Sequence, residues 1–512
     1  MRVESKSAVK NSVVRLVAVV VAGVLQVWFL VWMIMYFESG HPWMSTVISW
    51  ITFAVTLSVF CRNINSAMKI PWIIAIAAFP ILGVLLYVLM GRGLNRGIRE
   101  HFAAIDRMMA SYQAQDPDVH RDLEAADPWV RNQFRYIRNT TGMPVWRNTD
   151  VTFYPDQADA LHDQIEDIRK AKNFIFMEYH AVENGRSFAG LKQALKEKAR
   201  EGVEVRFFYD DVGSIAFVNR DFIREMREAG IACRDFNPVL PILNVFVNNR
   251  DHRKITVIDG KVGYTGGYNL ADEYFHLTKP YGYWKDEGVR LEGDAVWNLT
   301  LLFLEMWNSM QKETEDFGVF LERHPYRAKD RGFVMPYGGS PLTKERVAED
   351  VFMNLLRNAK TYCWFVTPYL IITDEMNREM TGAAMRGVDV RIITPGIPDK
   401  KMVYKETRSF YPHLADHGVR IFEFTPGFCH AKMALSDDRT AILGTINLDY
   451  RSLYHHFENG VLLYDSGALS GVKKDFEHMF AVSREVTAAY QHMRRTGRLL
   501  GMSFLRLVAP LL

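Results

Sequence analysis

Residues 252–259 read His-Arg-Lys-Ile-Thr-Val-Ile-Asp, and residues 430–437 repeat the pattern as His-Ala-Lys-Met-Ala-Leu-Ser-Asp. After six further residues each copy continues with Gly-x-x-Asn, at 266–269 and at 444–447. A single His-x-Lys-x4-Asp pattern is weak, because ordinary residue frequencies produce it in on the order of a few per cent of chains this long. Two copies with the same second motif at the same distance indicate a duplicated functional unit.

The spacing of each motif is typical of a β-strand that ends in a tight turn. Side chains at positions i and i+2 of a strand share one face, so His252 and Lys254 point the same way, as do His430 and Lys432. The final Asp of the first copy is followed by Gly260, and Asp-Gly is a common hairpin dipeptide. Two solvated surface hairpins would not need His, Lys, Asp and Asn together, so the sequence favours two functional hairpins.

The rest of the chain beyond the N-terminus is also duplicated. Ala-Lys-Asn-Phe-Ile-Phe at 171–176 matches Ala-Lys-Thr-Tyr-Cys-Trp at 359–364, an offset of 188 residues, and similar offsets recur downstream. In each unit, short runs rich in Val, Ile and Phe alternate with helical patterns, which predicts an α/β fold. We place the first half at 146–330 and the second at 331–512, with one site at their shared interface as the simpler interpretation.

The first hundred residues, 1–100, are predicted to be a membrane region. Apolar segments occupy 16–37, 45–61 and 70–91. A span needs about 20 apolar residues, so the first and third segments qualify and the second lies at the lower limit. Basic residues before the first span favour a cytoplasmic N-terminus, but the remaining charges fit either two or three spans, so the side of the site stays open. Residues 101–145 are interpreted as a linker region.

The composition excludes several classes of protein. Of the 512 residues, 48% are hydrophobic and 24% are charged, proportions that argue against disorder or a fibrous repeat. The 62 basic and 59 acidic residues leave a net charge of +3, which disfavours a nucleic-acid binder. The four cysteines are widely spaced, so neither a disulfide framework nor a cysteine metal site is predicted.

Two histidines and two lysines in one site suit phosphodiester chemistry. Lysine supplies positive charge for phosphate oxygens, a neutral imidazole can attack phosphorus, and an imidazolium can protonate the leaving oxygen. Such a covalent two-step reaction requires no metal. The acidic pair 210–211 is better explained by a turn or a helix cap than by a metal site, because no further ligand is spaced nearby. Glu178 and His180 share a strand face and are candidates for the border of the site.

The paired motifs resemble those of the phospholipase D superfamily over nearly all of residues 145–512. The apolar N-terminal segments, residues 148–155 and Thr-Pro-Tyr at 367–369 resemble bacterial cardiolipin synthases in particular. The resemblance implies two tandem phospholipase D-like α/β halves, related by a pseudo-twofold axis and preceded by transmembrane helices. The side chains that it places in one site are His252, Lys254, Asn269, His430, Lys432 and Asn447.

The resemblance also implies a carboxylate behind each imidazole. Asp286 and Glu458 are the candidates, because each is followed by x-Gly-Val at equivalent places in the two halves. Asp259 and Asp437 complete the catalytic motifs, and we expect them to fix the hairpins and pair with nearby cations. The family pattern makes His252 the nucleophile, although pseudo-symmetry gives no independent reason for that assignment.

The implied activity is transfer of a phosphatidyl group between two phosphatidylglycerol molecules, giving cardiolipin and glycerol, by a multi-pass protein of the bacterial cell membrane. Phosphatidylglycerol and anionic membrane lipids are the expected partners; no cofactor, metal or nucleic acid is expected, and the oligomeric state stays open. The alternatives are a hydrolytic phospholipase D, transfer to another alcohol, a membrane-tethered nuclease and a non-enzymatic lipid-binding module. The near-neutral charge disfavours the nuclease, and two intact motifs disfavour the binding module.

Overall fold

The structure, a computed structural model, describes residues 43–91, 96–238 and 248–492 without gaps, together with residues 17, 20–21, 23–29, 31–33, 35–36, 40–41 and 506–507. The strands of the first half are β1 Thr149–Tyr154, β2 Phe174–Tyr179, β3 Glu204–Asp210, β4 Ala232–Phe236, β5 Lys254–Ile258, β6 Val262–Gly266, β7 Tyr283–Lys285 and β8 Gly288–Gly293. Those of the second half are β9 Phe333–Gly339, β10 Tyr362–Val366, β11 Asp389–Pro395, β12 Arg420–Phe424, β13 Gly427–Cys429, β14 Met433–Ser436, β15 Thr440–Gly444, β16 Glu458–Tyr464 and β17 Ser483–Glu485.

The two halves have equivalent sheets, which confirms the predicted duplication of an α/β unit. The first sheet has the order β1-β8-β6-β5-β2-β3-β4 and the second the order β17-β12-β11-β10-β14-β15-β16-β9. In each half three parallel strands, β2-β3-β4 or β10-β11-β12, continue into an antiparallel hairpin made by the repeated motif, β5-β6 or β14-β15. Strand β17 is an addition at the edge of the second sheet.

Helices cover both sheets and join them. They are α1 Trp43–Cys61, α2 Ser66–Ala78, α3 Pro80–Leu86, α4 Arg96–Met109, α5 Pro117–Glu124, α6 Pro128–Thr141, α7 Gln157–Arg169, α8 Arg186–Arg200, α9 Asp211–Ser214, α10 Arg220–Glu228, α11 Val296–Ser309, α12 Val347–Asn358, α13 Asp374–Met385, α14 Lys401–Asp416, α15 Leu469–Ala481 and α16 Thr487–Tyr490. Helix α11 is buried on all sides and contacts both sheets, as a helix with apolar residues around its whole circumference requires. Its Phe303 stacks on Phe176 of the first sheet with ring centroids 4.6 Å apart.

The stretch 101–145, interpreted above as a linker, instead forms helices that belong to the core. Phe102 of α4 stacks on Phe457 of the second half, with ring centroids 5.3 Å apart. Phe134 and Ile137 of α6 are fully buried in the same apolar cluster. The sequence did not indicate that these helices belong to the core, because their apolar residues are few and are spread at helical spacing among charged residues.

The membrane region differs from the prediction. In the segment 16–37 the described residues are helical, but residues 16, 18–19, 22, 30, 34 and 37 lie outside the described part of the chain, so the structure does not test a continuous span there. The segment 45–61, judged marginal, lies within α1, a 19-residue helix and, in the described part of the chain, the one helix long and apolar enough to cross a membrane. The segment 70–91 is not one span, because Pro80 forces the residue before it out of helical geometry and starts a new helix. A multi-pass arrangement is therefore not established.

The contacts of β13 with β7 hold the two halves together next to the motifs. Residues 427–429 pair in parallel with residues 283–285 of the other half. At the other motif, Asp251 of the first half and Phe457 of the second half form an isolated parallel β-bridge. Each motif histidine follows directly after one of these cross-half pairings, so both histidines are brought to the interface.

Asp259 and Asp437 lie at the turns of the two motif hairpins, at the opposite end of the hairpin from the His and Lys. Both have a positive φ, 51° and 53°. The carboxylate of Asp437 accepts hydrogen bonds of 2.8–3.0 Å from the backbone N–H groups of residues 360–362, which lead into β10. Asp259 accepts equivalent bonds from residues 172–174 ahead of β2. These carboxylates tie each hairpin to the neighbouring strand.

We expect Asp437→Ala to destabilise the fold by about 2–4 kcal/mol, since it leaves three backbone donors without their charged acceptor. Burial raises the pKa of Asp437, but its hydrogen bonds to Thr361 and to backbone amides lower it by more, so the pKa is below its ordinary value. The stabilisation is therefore present above the unfolded-state pKa of about 4 and is lost as the pH falls through the lower folded-state value. Thermal unfolding of the full chain in detergent at several pH values measures both effects.

Asp465→Ala is the matched control, because Asp465 also has a positive φ of 48° but its carboxylate pairs with the exposed Arg439 side chain. Equal losses of stability in the two variants would contradict the role assigned to the Asp437 hydrogen bonds.

Candidate active site

Each motif histidine is paired with a carboxylate from the other half of the chain. His252 Nδ1 lies 2.9 and 3.0 Å from the two carboxylate oxygens of Glu458. His430 Nδ1 lies 2.7 Å from Asp286 Oδ2. All four side chains are buried, and the contact of each Nδ1 leaves Nε2 as the nitrogen available for reaction. The structure thus places both predicted carboxylates behind the imidazoles, in a crossed arrangement that the sequence did not indicate.

Backbone hydrogen bonds between the two halves also fix the position of each motif histidine. The N–H of His252 donates to the carbonyl of Phe457 at 2.8 Å, and the N–H of His430 donates to the carbonyl of Lys285 at 2.7 Å. Lys285 is itself held by a buried ion pair with Asp475 of the second half, at 2.8 Å. Neither half alone therefore builds a complete site.

The motif lysines are buried beside the histidines that precede them. Lys254 Nζ donates to the carbonyl of His252 at 2.6 Å, and Lys432 Nζ contacts the carbonyl of His430 and lies 2.7 Å from its Nδ1. Burial, opposed by Glu458 and assisted by Lys432, lowers the pKa of Lys254 to about 7. Burial also lowers the pKa of Lys432. Two ammonium groups crowded in a buried site favour the binding of an anion between them.

Both imidazoles are neutral near pH 7. Burial and the charge of Lys432, opposed by Asp286, lower the pKa of His430 to about 4. Burial and the charges of both lysines lower the pKa of His252 well below its ordinary value. The pKa of Asp286 falls to about 2, because Lys432 and His430 outweigh the effect of burial. An anionic phosphodiester would reverse the lysine effects and raise both histidine pKa values.

The two motif asparagines are buried in the same region. Asn269 Oδ1 accepts from the N–H of Ala181 at 3.1 Å, and its Nδ2 donates to Tyr274 Oη at 2.8 Å. Asn447 Oδ1 has no hydrogen-bond partner among the residues that the structure describes. All six side chains expected to line one site are therefore buried close to the crossed interface.

The neighbours of His252 are two further imidazoles. The ring of His180, predicted at the border of the site, lies 4.8 Å from that of His252, and His180 Nδ1 donates to the carbonyl of Asp251 at 2.6 Å. The ring of His456, which is not among the residues predicted from the sequence, lies 5.5 Å from that of His252. Its position two residues before Glu458 was the available signal, since alternate strand residues share a face.

The neighbours of His430 are aromatic rings instead. Tyr274, Trp284 and Phe428 lie with ring centroids 5.3, 5.4 and 5.7 Å from that of His430. Tyr369 extends this aromatic wall beyond Phe428, at 6.4 Å. The pseudo-symmetric site is therefore polar around one histidine and apolar around the other.

Glu178, the second predicted border residue, lies beneath the first motif rather than at the site. It is fully buried near Asp251 and Arg253, and burial raises its pKa well above the ordinary value. Arg253 donates to Glu305 at 2.8 Å and closes this ionic cluster. The equivalent positions of the second half are apolar; they are Val366, Cys429 and Ala431.

Two groups of side chains have the chemistry of metal ligands: the acidic pair 210–211, and a group around His252. Asp210, of the pair 210–211, accepts from the N–H of Gly213 and pairs with Arg250 at 2.8 Å, so it caps a helix as the sequence favoured. Ligand atoms of His252, His456 and Glu458 lie within 4.8 Å of one another in the described part of the chain. Two of these three already form the imidazole–carboxylate pair that recurs at His430 without a third ligand, so the arrangement is explained without a metal.

Comparisons with known proteins bear on this site and on the N-terminus. Residues 165–281 and 352–480 match a family described as cardiolipin synthase, phospholipase D-like domain, and residues 24–92 match one described as phospholipase D-nuclease N-terminal. Cardiolipin synthase 2 of Bacillus cereus is 32% identical over 467 residues, covering 90% of this chain and 90% of that protein. Cardiolipin synthase of Alkalihalophilus pseudofirmus is 30% identical over 498 residues, covering 96% and 99%.

A solved structure shares the fold. Phosphatidylserine synthase of Haemophilus influenzae superposes with a TM-score of 0.56 at 14% identity, covering 75% of this chain and 99% of that chain. Together these findings confirm the resemblance drawn from the paired motifs.

We expect Asp286→Asn and Glu458→Gln each to lower turnover of a soluble p-nitrophenyl phosphodiester by about 10²-fold or more, because an amide no longer fixes the histidine tautomer or stabilises the imidazolium. Steady-state kinetics on folded variants measures the loss. Glu287→Gln is the matched control: Glu287 is as buried as its neighbour Asp286, and burial and Asp286 raise its pKa well above the ordinary value, but its carboxyl group accepts from the backbone N–H of Lys432 and hydrogen-bonds no imidazole in the described part of the chain. Near-native turnover in Asp286→Asn, or an equal loss in Glu287→Gln, would contradict this account.

Proposed function

The chain belongs to the family of phospholipase D-like cardiolipin synthases, and we propose that it transfers a phosphatidyl group between two phosphatidylglycerol molecules, producing cardiolipin and glycerol. The observation that carries the proposal is the pair of crossed imidazole–carboxylate contacts, with two buried lysines beside them. This arrangement supplies a nucleophile, an acid and a positively charged phosphate site without another group. The apolar helix α1 supports a location in the bacterial cell membrane, where the lipid substrates are.

In the first step, Nε2 of His252 attacks the phosphorus of one phosphatidylglycerol. The bond from phosphorus to the headgroup oxygen breaks, and the imidazolium of His430 gives its proton to that oxygen, so that glycerol leaves. The product is a phosphatidyl-histidine, and Lys254 and Lys432 hold the non-bridging oxygens throughout. Charge–charge contacts of this kind act most strongly in a buried site, where water does not screen them.

In the second step, neutral His430 removes the proton from the primary hydroxyl of a second phosphatidylglycerol. The alkoxide oxygen attacks the phosphorus, the bond to His252 breaks, and cardiolipin is released. Atoms and protons balance, because the proton that His430 gave to glycerol is restored from the acceptor. Water in place of the second lipid would give phosphatidate, so exclusion of water from the buried site favours transfer over hydrolysis.

The charges around the two histidines support this division of roles. Asp286 is ionised, and its contact with His430 opposes the burial and the Lys432 charge that lower the pKa of His430 to about 4. At pH 7 roughly one His430 in a thousand is protonated without substrate, so the bound phosphodiester anion must raise its pKa for the acid to be available. Burial and the charges of both lysines hold the pKa of His252 well below its ordinary value, so His252 is the neutral imidazole that a nucleophile requires.

Product analysis with labelled phosphatidylglycerol in detergent tests the function itself. Cardiolipin with an equal amount of glycerol is the expected result. Phosphatidate as the main product would point to a hydrolytic phospholipase D, and a different phosphatidyl ester formed only with an added alcohol would point to another acceptor. Nucleotide release from DNA tested alongside would revive the nuclease alternative.

Trapping of the covalent intermediate tests the histidine roles. With a p-nitrophenyl phosphatidyl diester the leaving group needs no acid, so His430→Ala is expected to accumulate an acid-labile adduct at His252. His252→Ala is expected to accumulate none. Mass spectrometry of peptides locates the adduct. An adduct at residue 430 would exchange the two roles, and its absence from both variants of an active enzyme would replace the two-step mechanism by direct displacement.

Metal removal tests the proposed nucleophile. We expect EDTA to leave the turnover of the soluble diester unchanged, because an imidazole and not a metal-bound hydroxide attacks phosphorus. The soluble substrate is needed because divalent ions also change the surface of anionic lipid. Loss of activity in EDTA with rescue by one divalent ion would contradict the proposal and implicate His252, His456 and Glu458.

A further inference from the structure

The aromatic wall beside His430 continues to the protein surface. From Phe428 it reaches Tyr281 at 6.2 Å and Tyr369 at 6.4 Å. Lys400 Nζ donates to Tyr369 Oη at 2.9 Å and lies 5.0 Å from the centre of its ring. An apolar path thus runs outward from one catalytic histidine and ends at a lysine that is 62% exposed.

Two surface segments meet where this path ends: residues 277–283, which lead into β7, and residues 397–402, which end in the first turn of α14; we call them the rim. They are adjacent, since a Cβ built on Gly282 would lie 3.3 Å from Ile397 Cδ1. The rim carries three exposed apolar side chains, Leu277, Ile397 and Met402, which are 41%, 41% and 61% exposed. It also carries three exposed lysines, Lys279, Lys400 and Lys401.

The rim lies at the edge of the second sheet to which the membrane region is attached. Strands β10 and β11 are parallel, so their carboxyl ends share one edge. Residues 397–402 follow β11, and Glu375, in the first turn of α13, follows β10. Asn65, at the start of α2, donates to Glu375 at 2.8 Å. Helix α1, which is long enough to span a membrane, contacts α2. It therefore approaches the same edge of the sheet as the rim.

We infer that the rim is a second membrane contact, which inserts into the surface of an anionic bilayer and opens the His430 side of the site to lipid. The inference rests on the proposed function, since only a lipid substrate needs this path. Exposed apolar side chains enter the interfacial layer, and lysines beside them are attracted to anionic headgroups. The aromatic wall then connects the apolar interior of the bilayer with the surroundings of His430. A phospholipid can therefore reach the phosphate site without its acyl chains crossing water.

Comparing a lipid substrate in vesicles with a soluble substrate separates membrane contact from catalysis. The full chain with Ile397→Ser and Met402→Ser is expected to lose about five- to twentyfold in kcat/KM toward phosphatidylglycerol in vesicles, with unchanged turnover of a soluble p-nitrophenyl phosphodiester. Met385→Ser is the control, because Met385 is 74% exposed but ends α13, at the helix end remote from Glu375. Equal losses on both substrates, or no loss on vesicles, would overturn the inference.

The charged part of the rim is tested in the same way. Lys279→Glu with Lys401→Glu is expected to slow the reaction several-fold on vesicles of pure phosphatidylglycerol and to reduce its sensitivity to salt. Lys360→Glu is the control, since Lys360 is 69% exposed and precedes β10, at the opposite edge of the sheet. An equal effect of the control variant would show that total charge and not the rim is responsible.

Contact with the bilayer can be measured without any activity. An environment-sensitive fluorophore is attached at Met402→Cys or Met385→Cys in a Cys61→Ser chain, because Cys61 is exposed while the other three cysteines are buried. In phosphatidylglycerol nanodiscs containing brominated lipid, quenching is expected at position 402 and not at 385. Quenching at neither or at both overturns the inference. A chain that shows quenching at 402 but makes no cardiolipin would contradict the proposed function and leave the membrane contact standing.

Discussion

The crossed contact between an imidazole of one half and a carboxylate of the other is the interaction on which the site depends. It fixes the orientation of both rings, buries both acids and requires that the two sheets meet at one interface. The backbone bonds of His252 and His430 to the opposite half repeat the same crossing. Removing either half would leave one histidine without its carboxylate and one carboxylate without the imidazole that hydrogen-bonds it, and a buried carboxylate without a partner is costly.

Burial gives this site its electrostatic character. Four basic side chains crowd into a buried region, so the histidine and lysine pKa values fall and the imidazoles are neutral. An anion bound beside these groups would raise the pKa values of the histidines and lysines again and so restore their cationic forms. In the proposed reaction, binding of the phosphodiester and protonation of the acid would therefore be linked.

The two halves keep the same sheet order but surround their histidines differently. The first motif lies over an ionic cluster around Arg253 and beside two further imidazoles, whereas the second lies over apolar side chains and beside an aromatic wall. The surroundings of His252 are therefore polar, and those of His430 are apolar. A duplicated unit has in this way acquired two unlike sides while keeping the crossed pairs that both sides share.

The sequence by itself determined the duplication, the α/β class and the motif residues, because period-two spacing fixes which side chains share a strand face. The family resemblance made Asp286 and Glu458 the candidates for the carboxylates behind the imidazoles, but did not indicate which histidine each would meet, since pairing across an interface leaves no trace in local spacing. Only the tertiary structure decided the place of His456, of Glu178 and of helices α4–α6, whose few apolar residues become core through partners distant in the chain. The break at Pro80 likewise shows that apolar length alone does not define a span, because backbone geometry decides where a helix continues.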